Sequence, residues 1–466
     1  MKSENSMQRH VNMINETHDG FIENELLPFL RIPSFTLNKK GINQAKEFLI
    51  SYIRPFSDNI KEFEEGLIMA DVSGSTESKL LIYMMYDTQP ITKEKEWISE
   101  PFGAVIKTLP PPLDKLDKCV IARGAYNSKS PLMCFLNVIR ILKEQDALPL
   151  SLKLLFDAQE EIGSPFLLEL LKNKKELFKG CTDAYYPSMK QDLSGKSILK
   201  LGYKGILSLT IKVSSKNKEP HSAFSSMIPN PVRDLIQLLN KIYANNEFLI
   251  DSLRKPYVLS EKERNMIDDL MEEINLEEIK QKAGIVETIE NDPRKTFTNY
   301  LFKPTFNIST LKSGFLGGGT KNMVPNSATC NIDIRYAQDI SIDEIYEEIQ
   351  EITKKSAKKS KSHFELIKNI GYESSRVDKN STLVHSLIQS AKQLGYSTQI
   401  WPLSAAAAPL SAIKKNIGLN FIAGGLGIGG LAHAPNEFVQ LNSIIDTRLA
   451  NLYFLMKYYE NLQKEE

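Results

Sequence analysis

Cysteine is scarce. Cys119, Cys134, Cys181 and Cys330 are the four in 466 residues, and no two form a Cys-x-x-Cys pair. Nothing here suggests a thiolate zinc site or a disulfide framework, and a reduced, cytoplasmic setting is expected. Long apolar runs are missing as well. None approaches the roughly 18 residues that a membrane span requires. The opening stretch MKSENSMQRHVNMINETHDGF is polar and has no apolar signal core. Charge of one sign is also lacking: the formal net charge is +1, so no global electrostatic pull toward nucleic acid or a membrane is expected. The basic run KKSAKKSKS (Lys354 to Ser362) follows an amphipathic segment with Ile342, Ile345, Ile349 and Ile352 on one face, the pattern of a solvated helix end. There is no internal repeat, and low complexity is confined to the alanines at 405–408.

What is present is a globular composition, with 42% hydrophobic and 25% charged residues. The length exceeds one ordinary core and predicts two domains. Residues 20–205 alternate helical and strand patterns. FIENELLPFLRI is amphipathic and helical, KLLIYMMYD and SLKLLFDAQEE are short apolar runs ending in polar residues, and SPLMCFLNVIRILKEQ between them reads as a crossover helix. That order predicts an α/β domain with a mainly parallel sheet. Asp87, Glu160 and Glu161 fall just past the carboxyl ends of its strands, where the cleft of such a sheet lies.

The pattern changes near residue 206. GILSLTIKVSS alternates like a half-exposed strand and offers a possible edge for pairing. PVRDLIQLLNKIYANN is a helix, FNISTLKSG and ATCNIDIRYA are strands, and Ser341 with Glu344 opens a further helix as a capping box. From about residue 377 the α/β style returns. The expected organisation is a first domain of residues 1–205 and 377–466, with an α+β domain of residues 206–376 inserted into it.

Four segments in order, YMMYDTQP, ARGAYNSKS, FDAQEEIGSP and LAHAPNEF, carry a resemblance. With PHSAF, FKPTFNIS and GGGTKNMVPNSATCNIDIRY from the inserted domain, they resemble the carnosinase-like branch of the two-zinc metallopeptidases. Acetylornithine deacetylase, succinyl-diaminopimelate desuccinylase and carboxypeptidase G belong to the same superfamily. The resemblance covers nearly the whole chain and implies a metallopeptidase catalytic domain with an inserted lid. It implies two zinc ions about 3.5–4 Å apart that polarise a scissile carbonyl and activate a water, with a carboxylate as general base.

By matching motifs, Glu160 is that base, and Glu161 and His433 are the ligands private to one metal. Asn127 stands where the bridging aspartate should be. Met85 and Met189 stand where the second metal's histidine and aspartate should be. Methionine packs as an apolar gap-filler and is a poor zinc ligand beside imidazole or carboxylate. A neutral amide bridges two dications badly. The expected cofactor is therefore none or one zinc, held by Glu161, His433 and Asn127; a direct Glu161–His433 pair without metal is the alternative. Asp87 keeps the place of a group that orients a ligand.

In the lid the resemblance gives His221 the stabilisation of a tetrahedral oxyanion across a homodimer interface, and Arg335 the grip on a substrate carboxylate. Asn322 replaces a threonine. In LSAAAAP, Ser404 replaces a glutamate and Ala407 a serine, so a polar recognition loop has become small and apolar. The implied protein takes a small, carboxylate-bearing substrate but lacks an intact two-metal site. Three activities stay open: metal-independent acid–base or acyl-transfer chemistry, a one-metal dipeptidase or deacylase, and a binding or regulatory partner of an active relative.

Overall fold

A computed structural model describes residues 2–465. The chain divides into two compact units. The first combines the residues up to Leu201 with Arg376–Trp401 and those from Ala412 onward. Among its described residues a six-stranded sheet runs in the order Asn59–Glu62, Ile68–Val72, Ser151–Asp157, Lys79–Met85, Cys181–Pro187, Asn420–Gly424. The last four are mutually parallel, and the first two are antiparallel additions at one edge. Every residue of Ser151–Asp157 is buried, as are Leu80 to Met85. A strand covered on both faces needs no polar alternation, which is why these segments read as unbroken apolar runs.

The register pairs Met85 with Asp157, so the two strands end together. Helix Ser130–Glu144, with Pro131 in its first turn, makes the crossover between them. It is locked to the last helix, Ser443–Glu465, by the fully buried Arg448. That guanidinium donates to Asn137 Oδ1 at 2.7 and 3.1 Å and to the Ile14 carbonyl at 2.8 Å. A buried cation with several good acceptors is tolerated where an unpaired one would not be. A smaller sheet, in the order Gly429–Gly430, Phe438–Gln440, Lys118–Ile121, Val105–Thr108, carries the turn that bears His433.

The second unit comprises Gly202–Ser375 together with Pro402–Ser411. The sequence reading assigned the latter stretch to the first domain. It joins the second because the Lys204 amide donates to the carbonyls of Ser404 and Ala406, both at 3.1 Å. The unit is built on an antiparallel sheet in the order Thr305–Ser313, Ser327–Tyr336, Gly205–Ser214, His363–Tyr372. Leu207, Leu209, Ile211 and Val213 face inward and pack with Ile332, Ile334 and the apolar faces of helices Pro231–Ile242 and Ile342–Lys359.

Two expectations need correcting. GILSLTIKVSS is central, not an edge, since it is paired on both sides; the open edges are Thr305–Ser313 and His363–Tyr372. Alternation reports that one face is buried and is silent about lateral neighbours. Ser341 caps its helix through the Asp343 amide at 3.1 Å rather than as a box with Glu344. A reciprocal capping box forms instead at Ser260 and Glu263. Among the described residues no helix is long and apolar enough to cross a membrane.

Candidate active site and metal positions

At the carboxyl end of the parallel strands the chain turns sharply after Asp157. Gln159 N–H donates to Asp157 Oδ1 at 2.9 Å, and a short turn, Glu160–Ile162, follows. Asp87, just past the Lys79–Met85 strand and fully buried, clamps this turn. Its two oxygens accept the amides of Glu160 at 3.2 Å and Glu161 at 3.1 Å. Asp87 therefore orients the backbone of the Glu-Glu pair. Burial and the nearby Asp157 hold its carboxyl well above the ordinary range.

Glu161 is the hub. Its Oε1 accepts from Asn127 Nδ2 at 2.9 Å and lies 3.2 Å from His433 Nε2; its Oε2 accepts from Gln89 Nε2 at 2.7 Å. Asn127 Nδ2 is also 3.1 Å from His433 Nε2. One nitrogen cannot donate to Glu161 and accept from Asn127 at the same time. The hydrogen bond to Glu161 raises the His433 pKa above its ordinary value, which favours Nε2 as the donor to the carboxylate.

Asn127 and His433 are brought together by a carboxylate that sequence reasoning passed over. Glu437 is 1% exposed, and its Oε1 accepts the amides of Tyr126 at 3.0 Å and Asn127 at 2.8 Å. Its Oε2 pairs with the equally buried Arg123 at 2.7 Å. The signal was present in the motifs: an arginine in ARGAY and a glutamate in APNEF are opposite charges inside otherwise small or apolar segments. Leu431, His433 and Asn436 all have φ between 57° and 65°. Three non-glycine residues in the left-handed region within one turn are strained, and such strain gathers where side chains must be aimed.

The positions that the family resemblance assigns to a second metal look different. Met85 and Met189 are each 1% exposed. Met189 packs against Gly427: a Cβ added there would sit 2.6 Å from Met189 Cγ and 2.5 Å from Thr447 Oγ1, and φ there is +125°. The donor set is thus two buried thioethers and a neutral amide whose nitrogen already serves Glu161. It does not fit a zinc dication. Among the described residues no three His, Cys, Asp or Glu side chains gather as a metal-holding group.

Glu160 is half-buried. Burial, then Glu161 and Asp157, push its carboxyl up to about 8, while His433 and Lys190 oppose the rise. Lys190 is brought down to about 8 by burial and by Lys200. Gln89, Lys190 and Lys200 were also missed. The two lysines fall in segments with no pattern of their own, and only the fold places one beside Glu160.

In the second unit, His221 and Asn322 come together. Met323 bridges to His221, and the Ser222 amide donates to the Asn322 carbonyl at 3.1 Å. His221 is exposed; its Nδ1 accepts from Ala223 N–H at 3.2 Å, leaving Nε2 as the protonated nitrogen of the neutral ring. Arg335 lies on Ser327–Tyr336, with Nε 3.8 Å from Asp333 Oδ1. Its charge helps to lower the pKa of Lys204 to about 8, after burial. The Lys204 ammonium is capped by the carbonyls of Tyr300 at 2.9 Å and Lys303 at 2.8 Å. Ser404 is buried, and its Oγ accepts from Ala406 N–H at 3.3 Å.

A parallel sheet with carboxylates and a histidine at its carboxyl end, interrupted by an antiparallel lid sheet, is the build of a metallopeptidase-type hydrolase. Residues 81–457 match the family model described as peptidase family M20/M25/M40, and the chain belongs to that family. It is 26% identical over 276 residues to the Beta-Ala-His dipeptidase of Rattus norvegicus, covering 58% of this chain and 54% of that protein. It is 25% identical over 353 residues to the Cys-Gly metallodipeptidase dug1 of Schizosaccharomyces pombe, covering 71% and 72%. Among solved structures, the M20 family metallo-carboxypeptidase Sso-CP2 from Sulfolobus solfataricus superposes with a TM-score of 0.83 at 27% identity, covering 93% of this chain and 98% of that one. The chain spans about half the length of the rat and mouse Beta-Ala-His dipeptidases, at 54% and 55%.

Proposed function

We propose that this family member does not perform two-zinc peptide hydrolysis, and that its cleft carries out metal-independent acid–base or acyl-transfer chemistry on a small anionic substrate. The observation that carries this reading is the Asn127 amide bonded to Glu161 at 2.9 Å, together with the burial of the methionines at the remaining ligand positions. Water attack on an unactivated amide without two Lewis-acid centres loses several kcal/mol of transition-state stabilisation. Glu160, held partly protonated near neutral pH, serves instead as a proton donor and acceptor. His221 stabilises a developing oxyanion and Arg335 holds a substrate carboxylate. A second reading, a one-metal dipeptidase or deacylase, is favoured by the convergence of Asn127, Glu161 and His433 within 3.2 Å.

Elemental analysis of the dialysed protein, followed by assays with and without zinc on Cys-Gly, β-Ala-His and activated acyl esters, separates the two. Fewer than two zincs per chain, with ester turnover that survives chelation, supports the first reading. Zinc-dependent dipeptide cleavage at one zinc per chain supports the second. Two tightly held zincs per chain would refute both.

The lid is also proposed to form a homodimer. Its open Thr305–Ser313 edge exposes Ile308 and Leu311, at 44% and 54%, an arrangement that invites strand pairing. Solution scattering at micromolar concentration is expected to give the dimer mass; a clean monomer would remove this assembly.

A further inference from the structure

Lys190 acts on the Glu160 carboxyl and is itself coupled to Lys200, and no family role accounts for either lysine. Gln191 bridges antiparallel to Ser197, and Ile198 N–H donates to the Lys190 carbonyl at 2.7 Å. Lys190 is thus opposite Ile198, and Lys200 lies two residues further along the same extended segment, Ser197–Lys200. Side chains two apart on a strand share a face, so Lys190 and Lys200 project to the same side. Met189, one residue earlier, points the other way, into the core against Gly427.

Lys190 interacts with the Glu160 carboxylate and with Lys200. The Lys200 ammonium lies 5.3 Å above the Trp401 ring centre, so its stem rests on a mostly buried indole. Both lysines are half-buried. Among the described residues neither is within ion-pair distance of a carboxylate, although Glu160 is close enough to couple electrostatically. Two like charges that share a face and are partly removed from water repel each other and lose hydration. A bound anion between them reverses both costs.

We propose that Lys190 and Lys200 form an oxyanion-binding site, and that it takes a carboxylate or phosphate group of the substrate on the Glu160 side of the sheet. The proposal rests on the reading that no second metal is bound and deepens it by naming the group recognised. The recognition chemistry is the same for a carboxylate and a phosphate, since each ammonium acts as a point charge with several donors.

The test is calorimetric titration of the full chain at low ionic strength, with inorganic phosphate and with N-acetylglycine as probes. The proteins are wild type, Lys190→Gln, Lys200→Thr and the exposed control Lys172→Gln, all checked for fold by circular dichroism. Each site substitution is expected to weaken the bound probe by about ten-fold or more, because one charged hydrogen bond is lost. The control is expected to match wild type. The probe that binds more tightly identifies the group as phosphate or carboxylate. Unchanged affinity in both site variants, or no binding of either probe by wild type, overturns the proposal. Zinc is measured in the same samples. Two zincs per chain, with probe binding that a chelator abolishes and the lysine substitutions leave intact, would instead overturn the metal-free reading on which the proposal rests.

Discussion

The two groups of positions that the family resemblance assigns to metals are built differently. In one, Asn127, Glu161 and His433 stay polar and satisfy one another within 3.2 Å, with Gln89 completing the set at 2.7 Å. In the other, Met85 and Met189 are buried, and Met189 packs against Gly427. A buried polar atom needs a partner, so the first half is held as a hydrogen-bonded network whether or not a metal is present. A thioether needs only to be packed, so the second half closes as core. Lys190 follows Met189 directly and faces the other way, toward the side shared with Lys200.

Restoring the second half is the most direct way to break this contrast. The triple variant Met85→His, Asn127→Asp, Met189→Asp is expected to raise zinc content from fewer than two to two per chain. Without zinc it buries uncompensated polar and charged groups, and is expected to lose about 3–5 kcal/mol or more. Urea unfolding with and without zinc reads both effects. A variant as stable without zinc as wild type would mean that the methionine side is not closed core. Peptidase activity need not return, because the Ser404–Ala407 loop also lacks the polar groups of the family pattern.

The polar half is tested through its support. Glu437→Gln leaves Arg123 buried without its charge partner and weakens the hold on the Tyr126 and Asn127 amides. Breaking a buried pair costs about 3–5 kcal/mol. Denaturant midpoints are expected to fall accordingly, while Met85→Leu on the other side, a volume-conserving swap, is expected to cost less than about 1.5 kcal/mol. Equal losses in the two variants would erase the distinction between network and packed core.

Glu160 sharpens the comparison through pH. Its folded pKa of about 8 lies above the ordinary carboxylate value, so the native state holds this proton more tightly than the unfolded chain does. Between roughly pH 4.5 and 8 the native state binds the extra proton, and this group's contribution falls as pH rises through that window. Glu160→Gln removes that loss and is expected to raise stability at pH 8 relative to wild type, with little difference near pH 4. Melting temperatures across that range, with carbon-detected NMR of the carboxyl, check it. A normal acidic pKa together with undiminished turnover in the variant would remove Glu160 from the chemistry.

Much of this was legible in the chain. Unbroken apolar runs marked strands buried on both faces, and the polar residues ending them marked the cleft, because strand burial and strand ends leave a local signature. Met85, Asn127 and Met189 stood out in their motifs because the family resemblance leads one to expect metal ligands there. Lateral strand order was not: GILSLTIKVSS has the same alternation whether central or at an edge. The charges of Arg123 and Glu437 were visible in their motifs, but a single carboxylate does not announce the two amides and the guanidinium it holds.

The sequence by itself determined the donor chemistry, since a thioether and a neutral amide cannot become anionic ligands in any fold, and it determined the order and period of the elements. Only the tertiary structure decided which atoms meet. The Asn127 amide faces Glu161 and His433, Lys190 couples to Glu160 from a strand pairing between residues 191 and 197, and Glu437 reaches Asn127 across 310 residues. Donor type and periodicity are properties of single residues and short segments. Proximity, burial and the resulting pKa shifts arise when distant segments pack and exclude water from the space between them.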